Sequence, residues 1–343
     1  MRIFSAVQPT GHAHLGNLFG ALLPWVRLQE TATNSCYFAI ADLHALTSAR
    51  RKSVGDLSRQ MMAQLLAIGL SPERSVLFRQ SAVAAHSQLH WILSNVTPLS
   101  HLKRMTQFKS KVLEADSEPN LGLFSYPVLQ AADILLYAAD AVPVGEDQQQ
   151  HLELARSIAA SFNFSVAEPV LKLPETLQGD IPRVMSLRDG RKKMSKSDAS
   201  IMSYILITDS DDQIQHKIKK SKTDSLGRIS FDEDNRPEIS NLIRLYSRIS
   251  GLQIGEVCEQ FQDQSTVDFK SALIDQIIGF ISPIRENYNQ YCLHPEEVDR
   301  LLASGAQKAN AVAEETLERV HKAIGLTPTR IMPEVPLVIT EQQ

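Results

Sequence analysis

The amino-terminal stretch of this chain alternates between two hydrophobic periods in an order that few architectures accept. Arg2-Ile3-Phe4-Ser5-Ala6-Val7 reads as a buried strand, Leu15 to about Glu30 carries an apolar helical face, and Cys36-Tyr37-Phe38-Ala39-Ile40-Ala41 is a second strand. Strand, helix, strand implies a parallel sheet with crossover connections. The pattern recurs in helical periodicity from Val54 to Ile68, a short strand at Ser75–Phe78, and the run Val142-Pro143-Val144 ahead of a helix from Asp147 to Ala160. The expected fold class is α/β, a doubly wound parallel-sheet (Rossmann-like) domain. In such sheets ligands bind at the carboxyl ends of the strands, where Gln8–Gly11, Asp42–His44 and Gly145–Gln148 all fall.

After Ser200 the character changes. From about Asp209 to Leu326 the chain has helical periodicity, few strand signals and expected caps at Ser240 and Ser265, which points to an all-helical domain. A chain of 343 residues exceeds the ~250–300 at which single cores stop growing. Two domains are therefore expected: residues 1–204, with a helical insertion around 86–125, and residues 205–326. Residues 327–343, with three prolines and no amphipathic period, read as an extended or disordered tail.

A hydrophobic fraction of 43% with 22% charged residues excludes disordered and fibrous classes. The net charge of −4 does not exclude a nucleic-acid partner, because phosphate contacts come from a local patch. Lys217, Lys219, Lys220 and Lys222 are candidates for one, although a solvated helix face is the plainer reading. Cys36, Cys258 and Cys292 are scattered and lack metal or disulfide spacing, so no protein metal site is expected. Leu129 to Val144 is the most apolar neighbourhood, but with Asp133 and Asp140 it is too short and charged to span a bilayer, and no membrane segment is expected. A strand beginning at residue 2 leaves no room for a leader, so secretion is not expected either.

Two distant segments complement each other chemically. Pro9-Thr10-Gly11-His12-Ala13-His14-Leu15-Gly16-Asn17 is a turn opening into a helix, whose free N–H groups and dipole can receive a phosphate. Lys193-Met194-Ser195-Lys196-Ser197 supplies ammonium groups from a Gly/Arg/Lys-rich loop after an expected Ser186-Leu187 strand. Together they describe an ATP site in which attack on the α-phosphorus expels pyrophosphate and the lysines stabilise the departing charge. Gly11 and Gly16 allow a tight turn and close approach of the backbone, and His14 can donate to a phosphate oxygen or simply cap its helix. Asp147 has the position of a helix N-cap. Asp133 lies in an otherwise apolar helix, Val128 to Ala139, where a carboxylate needs a donor. The alternatives are a substrate N–H and a buried arginine.

His14-Leu15-Gly16-Asn17 and Lys193–Ser197 resemble the two signatures of the class I aminoacyl-tRNA synthetases. Phe4–Gly11, Ser125–Tyr137 and Val142–Gln148 make the chain similar to the bacterial-type and organellar tryptophanyl-tRNA synthetases, from about residue 2 to about residue 325. The resemblance implies activation of L-tryptophan by ATP, with Mg²⁺ carried on the nucleotide, and transfer to tRNA(Trp). It further implies a homodimer joined through the insertion and a helical anticodon-binding domain. By the same resemblance His14, Lys193, Lys196 and Lys111 are catalytic; Gln107 accompanies Lys111 in a second phosphate-contacting segment. Gln8, Gly11, His14, Gly16, Asn17, Gly145, Asp147, Gln148, Lys193, Met194, Ser195 and Lys196 meet ATP. Phe4, Gln8, His44, Tyr126, Gln130, Asp133, Val142, Val144 and Gln148 meet tryptophan, Asp133 by accepting the indole N–H; the apolar members are equally good core residues.

Three positions depart from the family: Ala6 for glycine, Gln130 where many bacterial members have methionine, and Ala199 for the proline after the lysine signature. The likeness leans to organellar members, and the mitochondrial matrix is the expected location, with a bacterial cytoplasm as the alternative. Competing functions are a tyrosyl-tRNA synthetase, a catalytically silent RNA-binding paralogue and a small-molecule adenylyltransferase.

Overall fold

The computed structural model describes residues 1–47, 53–107, 120–145, 148–177 and 183–326. Five parallel strands form one sheet in the order β3-β2-β1-β4-β5, with β1 Arg2–Val7, β2 Ser35–Ile40, β3 Ser75–Arg79, β4 Ala141–Pro143 and β5 Glu175–Leu177. The fold is a doubly wound α/β sheet with helices on both faces. Alternation along the strands sorts the core. Ile3, Cys36, Phe38 and Ile40 enter one apolar cluster, while Phe4, Tyr37 and Ala39 enter the other. The three-residue β5, half-exposed along its length, carries no alternation that could announce it in the sequence.

The first crossover is not one plain helix. Leu15–Asn17 passes into a π-helical stretch, Leu18–Leu22, before Leu23–Glu30 resumes the α form. Pro24 accounts for this: it has no N–H and its ring would press on the Gly20 carbonyl in a regular helix. Widening the turn, with the Leu23 N–H reaching back to the Leu18 carbonyl, relieves that clash and re-aims the helix start.

The helices after residue 210 share their core with the sheet. Ile239, Leu242, Phe269 and Ile277 belong to the same cluster as Ile3 and Phe38. The last helix, Pro295–Ala323, crosses β3: Val298 and Leu302 lie in one cluster, Ala306 to Val320 in the other. It covers the edge strand that would otherwise present unpaired backbone. The approach is so close that a Cβ on Gly305 would fall 1.7 Å from the Leu77 carbonyl oxygen.

Some local expectations are corrected. Ser240 is no cap; it lies inside Pro237–Ser250, where its hydroxyl accepts from the Asp232 N–H and donates to the Asp232 carbonyl, each at 2.9 Å. Ser265 does cap Thr266–Leu293, in a reciprocal pairing with Asp268. The lysine run is neither one patch nor one solvated face. Lys217 is buried against Asp209 at 2.5 Å, Lys222 pairs with Glu238 at 2.7 Å, and only Lys219 and Lys220 of the four are simply exposed. The helix Leu121–Leu136 starts earlier and ends sooner than its apolar run suggests, capped by Asn120 through the Leu123 N–H. No described helix is long and apolar enough to cross a membrane.

Gly305→Ala should destabilise the protein by about 1–3 kcal/mol in urea unfolding, because helix and strand must part to admit a methyl group. Gly279→Ala, in Thr266–Leu293 with nothing near its Cβ position, should instead gain up to about 1 kcal/mol of helix propensity. Equal stabilities for the two variants would contradict the crossing.

Candidate active site

The winding of the sheet reverses between β1 and β4, and their pairing is recorded at Ile3↔Ala141. Pro143 lies at the carboxyl end of β4, in register with Leu177 of β5, and a proline cannot continue a ladder on its N–H side. The two strands thus part toward their carboxyl ends, the crevice in which doubly wound sheets bind ligands. Ala6 is exposed on the β1 side, with Gln8 half-buried beyond it; Val144 and Gly145 flank the β4 side.

The signature turn is braced from behind. The Ala13 N–H donates to Gln64 Oε1 at 2.7 Å, the Leu15 N–H to the Ile205 carbonyl at 2.9 Å, and the Ile207 N–H to the Ala13 carbonyl at 3.0 Å. Gly11 takes φ +99°, a conformation closed to most side chains. Gly16 has a different reason to be glycine: a Cβ there would sit 2.7 Å from the His14 ring. The close approach is therefore to the histidine itself. Asn17, expected at the nucleotide, has local work, since its Oδ1 accepts the His14 N–H while its own N–H donates to His14 Nδ1, both at 3.2 Å.

That cap has a chemical consequence. Nδ1 must be unprotonated to accept, so a neutral His14 carries its proton on Nε2, as a donor. Burial, then the charges of Lys196 and Lys193, push its pKa down to about 4, so it is neutral near pH 7. The capping and phosphate-donor readings of His14 are compatible.

The lysine loop does not follow a strand at Ser186-Leu187. An isolated antiparallel bridge, Met185↔Lys193, closes a hairpin in which Met194 donates to the Val184 carbonyl and Ser186 to that of Lys192. Met194 is buried in the core beside Gly16 and pins the loop, while Ser195 and Ser197 share a hydrogen bond at 2.8 Å. Lys196 Nζ donates to the carbonyls of His12 and Thr10 at 2.8 and 3.2 Å and lies 3.4 Å from Thr10 Oγ1. Desolvation lowers its pKa. The loop is thus no solvated turn: residues almost two hundred positions apart meet at the crevice. Lys193 stays exposed.

At the other end of the crevice Asp133 is buried and receives His44 Nε2 at 2.8 Å, His86 Nδ1 at 2.6 Å and Gln80 Nε2 at 2.7 and 2.8 Å. None of its recorded partners is an arginine. Phe4, stacked on Tyr137 at 5.3 Å, and Val142 are buried core residues beneath it; Val144 is half-buried. The Tyr126 hydroxyl donates to Gln107 Oε1 at 3.1 Å and meets His151 Nε2 at 3.0 Å; burial pushes its pKa up to about 12. Gln130 Nε2 donates to Gln148 Oε1 at 3.3 Å, linking the Leu121–Leu136 helix to the entrance of Gln149–Val166. Lys111 and Asp147 lie outside the described residues. Among the described residues no group of three or more His, Cys, Asp and Glu side chains is placed to hold a metal.

Sequence reasoning missed Gln64, Gln80, His86, Tyr137 and His151. The signal available was a polar residue in an apolar neighbourhood, the same one that singled out Asp133, but nothing local says which of these faces the crevice.

Residues 1–282 match the family described as tRNA synthetases class I (W and Y). The chain is 46% identical over 325 residues to the tryptophan–tRNA ligase of Rickettsia conorii, an alignment covering 94% of this chain and 98% of that one. It is 42% identical to the mitochondrial tryptophan–tRNA ligase of Dictyostelium discoideum, covering 94% and 96%. Among solved structures, tryptophanyl-tRNA synthetase from Campylobacter jejuni complexed with ADP and tryptophan superposes with a TM-score of 0.82 at 33% identity, covering 95% of this chain and 100% of the other.

Because the folded pKa of His14 lies at about 4 against an ordinary 6.5, the unfolded chain binds its proton first as pH falls. The neutral-His14 contribution is therefore full above that window and lost through it, with a cost on the order of 3 kcal/mol. His14→Asn, which keeps a capping side chain, should flatten unfolding stability between pH 6.5 and 4 relative to wild type. Identical pH profiles would count against the buried neutral imidazole.

Proposed function

The chain belongs to the class I tRNA synthetases of the tryptophan and tyrosine type, and on that premise we propose that it is a tryptophan–tRNA ligase working through the crevice between β1 and β4. Tryptophan's carboxylate oxygen attacks the α-phosphorus of ATP, the bond to the bridging oxygen breaks, and pyrophosphate leaves with the Mg²⁺ carried on the nucleotide. A terminal ribose hydroxyl of tRNA(Trp) then attacks the activated carbonyl and AMP departs. The observation that carries this reading is the meeting of Lys196 with Thr10 and His12, which puts an ammonium at the turn bearing the His14 donor. Charge that grows on the leaving group is stabilised by groups already in place, without a protein nucleophile.

In this proposal Gln8, Gly11, His14, Gly16, Lys193, Met194, Ser195 and Lys196 surround the nucleotide, with Gly145 and Gln148 across the crevice. Asn17 acts by holding the capping His14 in place. Asp133 accepts the indole N–H, His44, Gln130 and Val144 border the ring, Phe4 and Val142 form its floor, and Tyr126 and Gln148 serve the ammonium end. A site built for one hydrogen-bond donor rejects analogues lacking it by roughly 10⁴–10⁵. Lys111 and Asp147 keep their proposed parts as phosphate-side and ribose-side or ammonium-side contacts. The helices of residues 205–326 are assigned to tRNA anticodon binding, residues 86–125 to a homodimer contact. Relatives from Rickettsia and from Dictyostelium mitochondria support a bacterial-type translation system, in the mitochondrial matrix or a bacterial cytoplasm.

Among the twenty amino acids only tryptophan should support rapid exchange of pyrophosphate into ATP; faster exchange with tyrosine would sink the assignment. Lys196→Ala should slow the first turnover of adenylate formation by roughly 10²–10³ while leaving tryptophan binding nearly unchanged. Survival of the wild-type rate would remove Lys196 from the chemistry.

A further inference from the structure

Burial alone would raise the pKa of Asp133, but hydrogen bonds from His44 and His86 outweigh it and hold the carboxyl below its ordinary range. The donors approach from two directions. His44 belongs to Asp42–Ala45 at the end of β2, is 7% exposed and meets the Tyr126 ring edge-on. Gln80 and His86, on the segment after β3, are fully buried. Gln80 is oriented without ambiguity: its Oε1 accepts the Leu43 N–H at 3.2 Å, which turns Nε2 to both carboxylate oxygens.

Behind His86 the chain continues. His86 Nε2 is 2.8 Å from the Tyr137 hydroxyl, and Tyr137 is fully buried, stacked against the rings of Phe4 and Tyr37. An ionised carboxylate only accepts, so Nδ1 of His86 must carry the proton that faces Asp133. In the neutral imidazole Nε2 is then the acceptor for the phenol, which is kept protonated by burial and by the nearby negative charge. The result is a directed series, Tyr137 O–H to His86, His86 N–H to Asp133.

Resting on the reading of the protein as a tryptophan–tRNA ligase, we propose that Tyr137, His86 and Gln80 are positioning residues for amino-acid selection. From the side away from the crevice they hold Asp133 ionised and fixed in rotation, and the oxygen bonded to His44 is the one given over to the indole N–H. A carboxyl free to protonate or rotate could present an O–H instead, and would then tolerate a ring that has no donor.

The test is pyrophosphate exchange by the full-length protein with tryptophan and with its benzothienyl analogue, in which sulfur replaces the indole N–H. Wild type should strongly prefer tryptophan. Tyr137→Phe removes one hydroxyl and should narrow the ratio of kcat/KM values by roughly 5–30-fold, the worth of one or two kcal/mol. His86→Leu, which can neither donate to Asp133 nor accept from the phenol, should narrow it at least as much. Loss of activity on both amino acids by the same factor, or an unchanged ratio in both variants, overturns the proposal while leaving the enzyme's identity intact. A wild type that does not use tryptophan, or does not distinguish the two, overturns the functional reading itself.

Discussion

The parting of β1 from β4 is the constraint on which the site depends. Once the two strands diverge beyond Ile3 and Ala141, the backbone at the top of β1 must turn away from the sheet, and the Thr10–His14 segment hangs over an opening that no strand fills. Other proposed functional groups are delivered to that opening from elements anchored elsewhere: His44 from the short helix after β2, Asp133 from the Leu121–Leu136 helix, Gln148 from the entrance of the next helix. The sheet supplies rigidity, and the loops at its carboxyl ends supply chemistry.

The two ends of the crevice are of opposite electrical character. At the signature turn, two lysines and a histidine kept neutral favour an anion, and the neutrality of His14 lets it donate without adding a further cation. At the other end a single buried carboxylate is held charged by two histidines and a glutamine. A zwitterionic aromatic substrate and a polyphosphate can be told apart by such a gradient before any fine contact is made. Burying charge is costly unless it is paired or hydrogen-bonded; Lys196 donates to the Thr10 and His12 carbonyls, and Asp133 accepts from His44, His86 and Gln80.

The helical region after residue 204 is part of this support. Residues 205–207 bond to both sides of Ala13 and Leu15, Asp209 links onward to Lys217 and to Arg285, and His12 meets the Tyr288 ring edge-on. Movement in those helices would therefore be felt at the signature turn. The terminal helix closes the structure over β3, so the beginning and end of the described fold share one core.

The sequence by itself determined the parallel sheet, four of its strands and the identity of the two signature segments, because these are written in short-range periodicity and in contiguous motifs. It also marked Asp133, since a lone carboxylate in an apolar helix is visible without coordinates. It did not reveal β5, too short to show a period, or the π turn, which arises from the three-dimensional clash of Pro24 with the preceding turn. Only the tertiary structure decided that Gly16 answers to His14, that Asn17 bonds back to the capping His14, that Lys217 is buried, and that Gln80, His86 and Tyr137 stand behind Asp133. These are contacts between residues far apart in the chain or across a helical turn. Whether a polar side chain faces solvent, a substrate or another buried side chain depends on which element packs over it, and that is a property of the assembled fold rather than of any window of sequence.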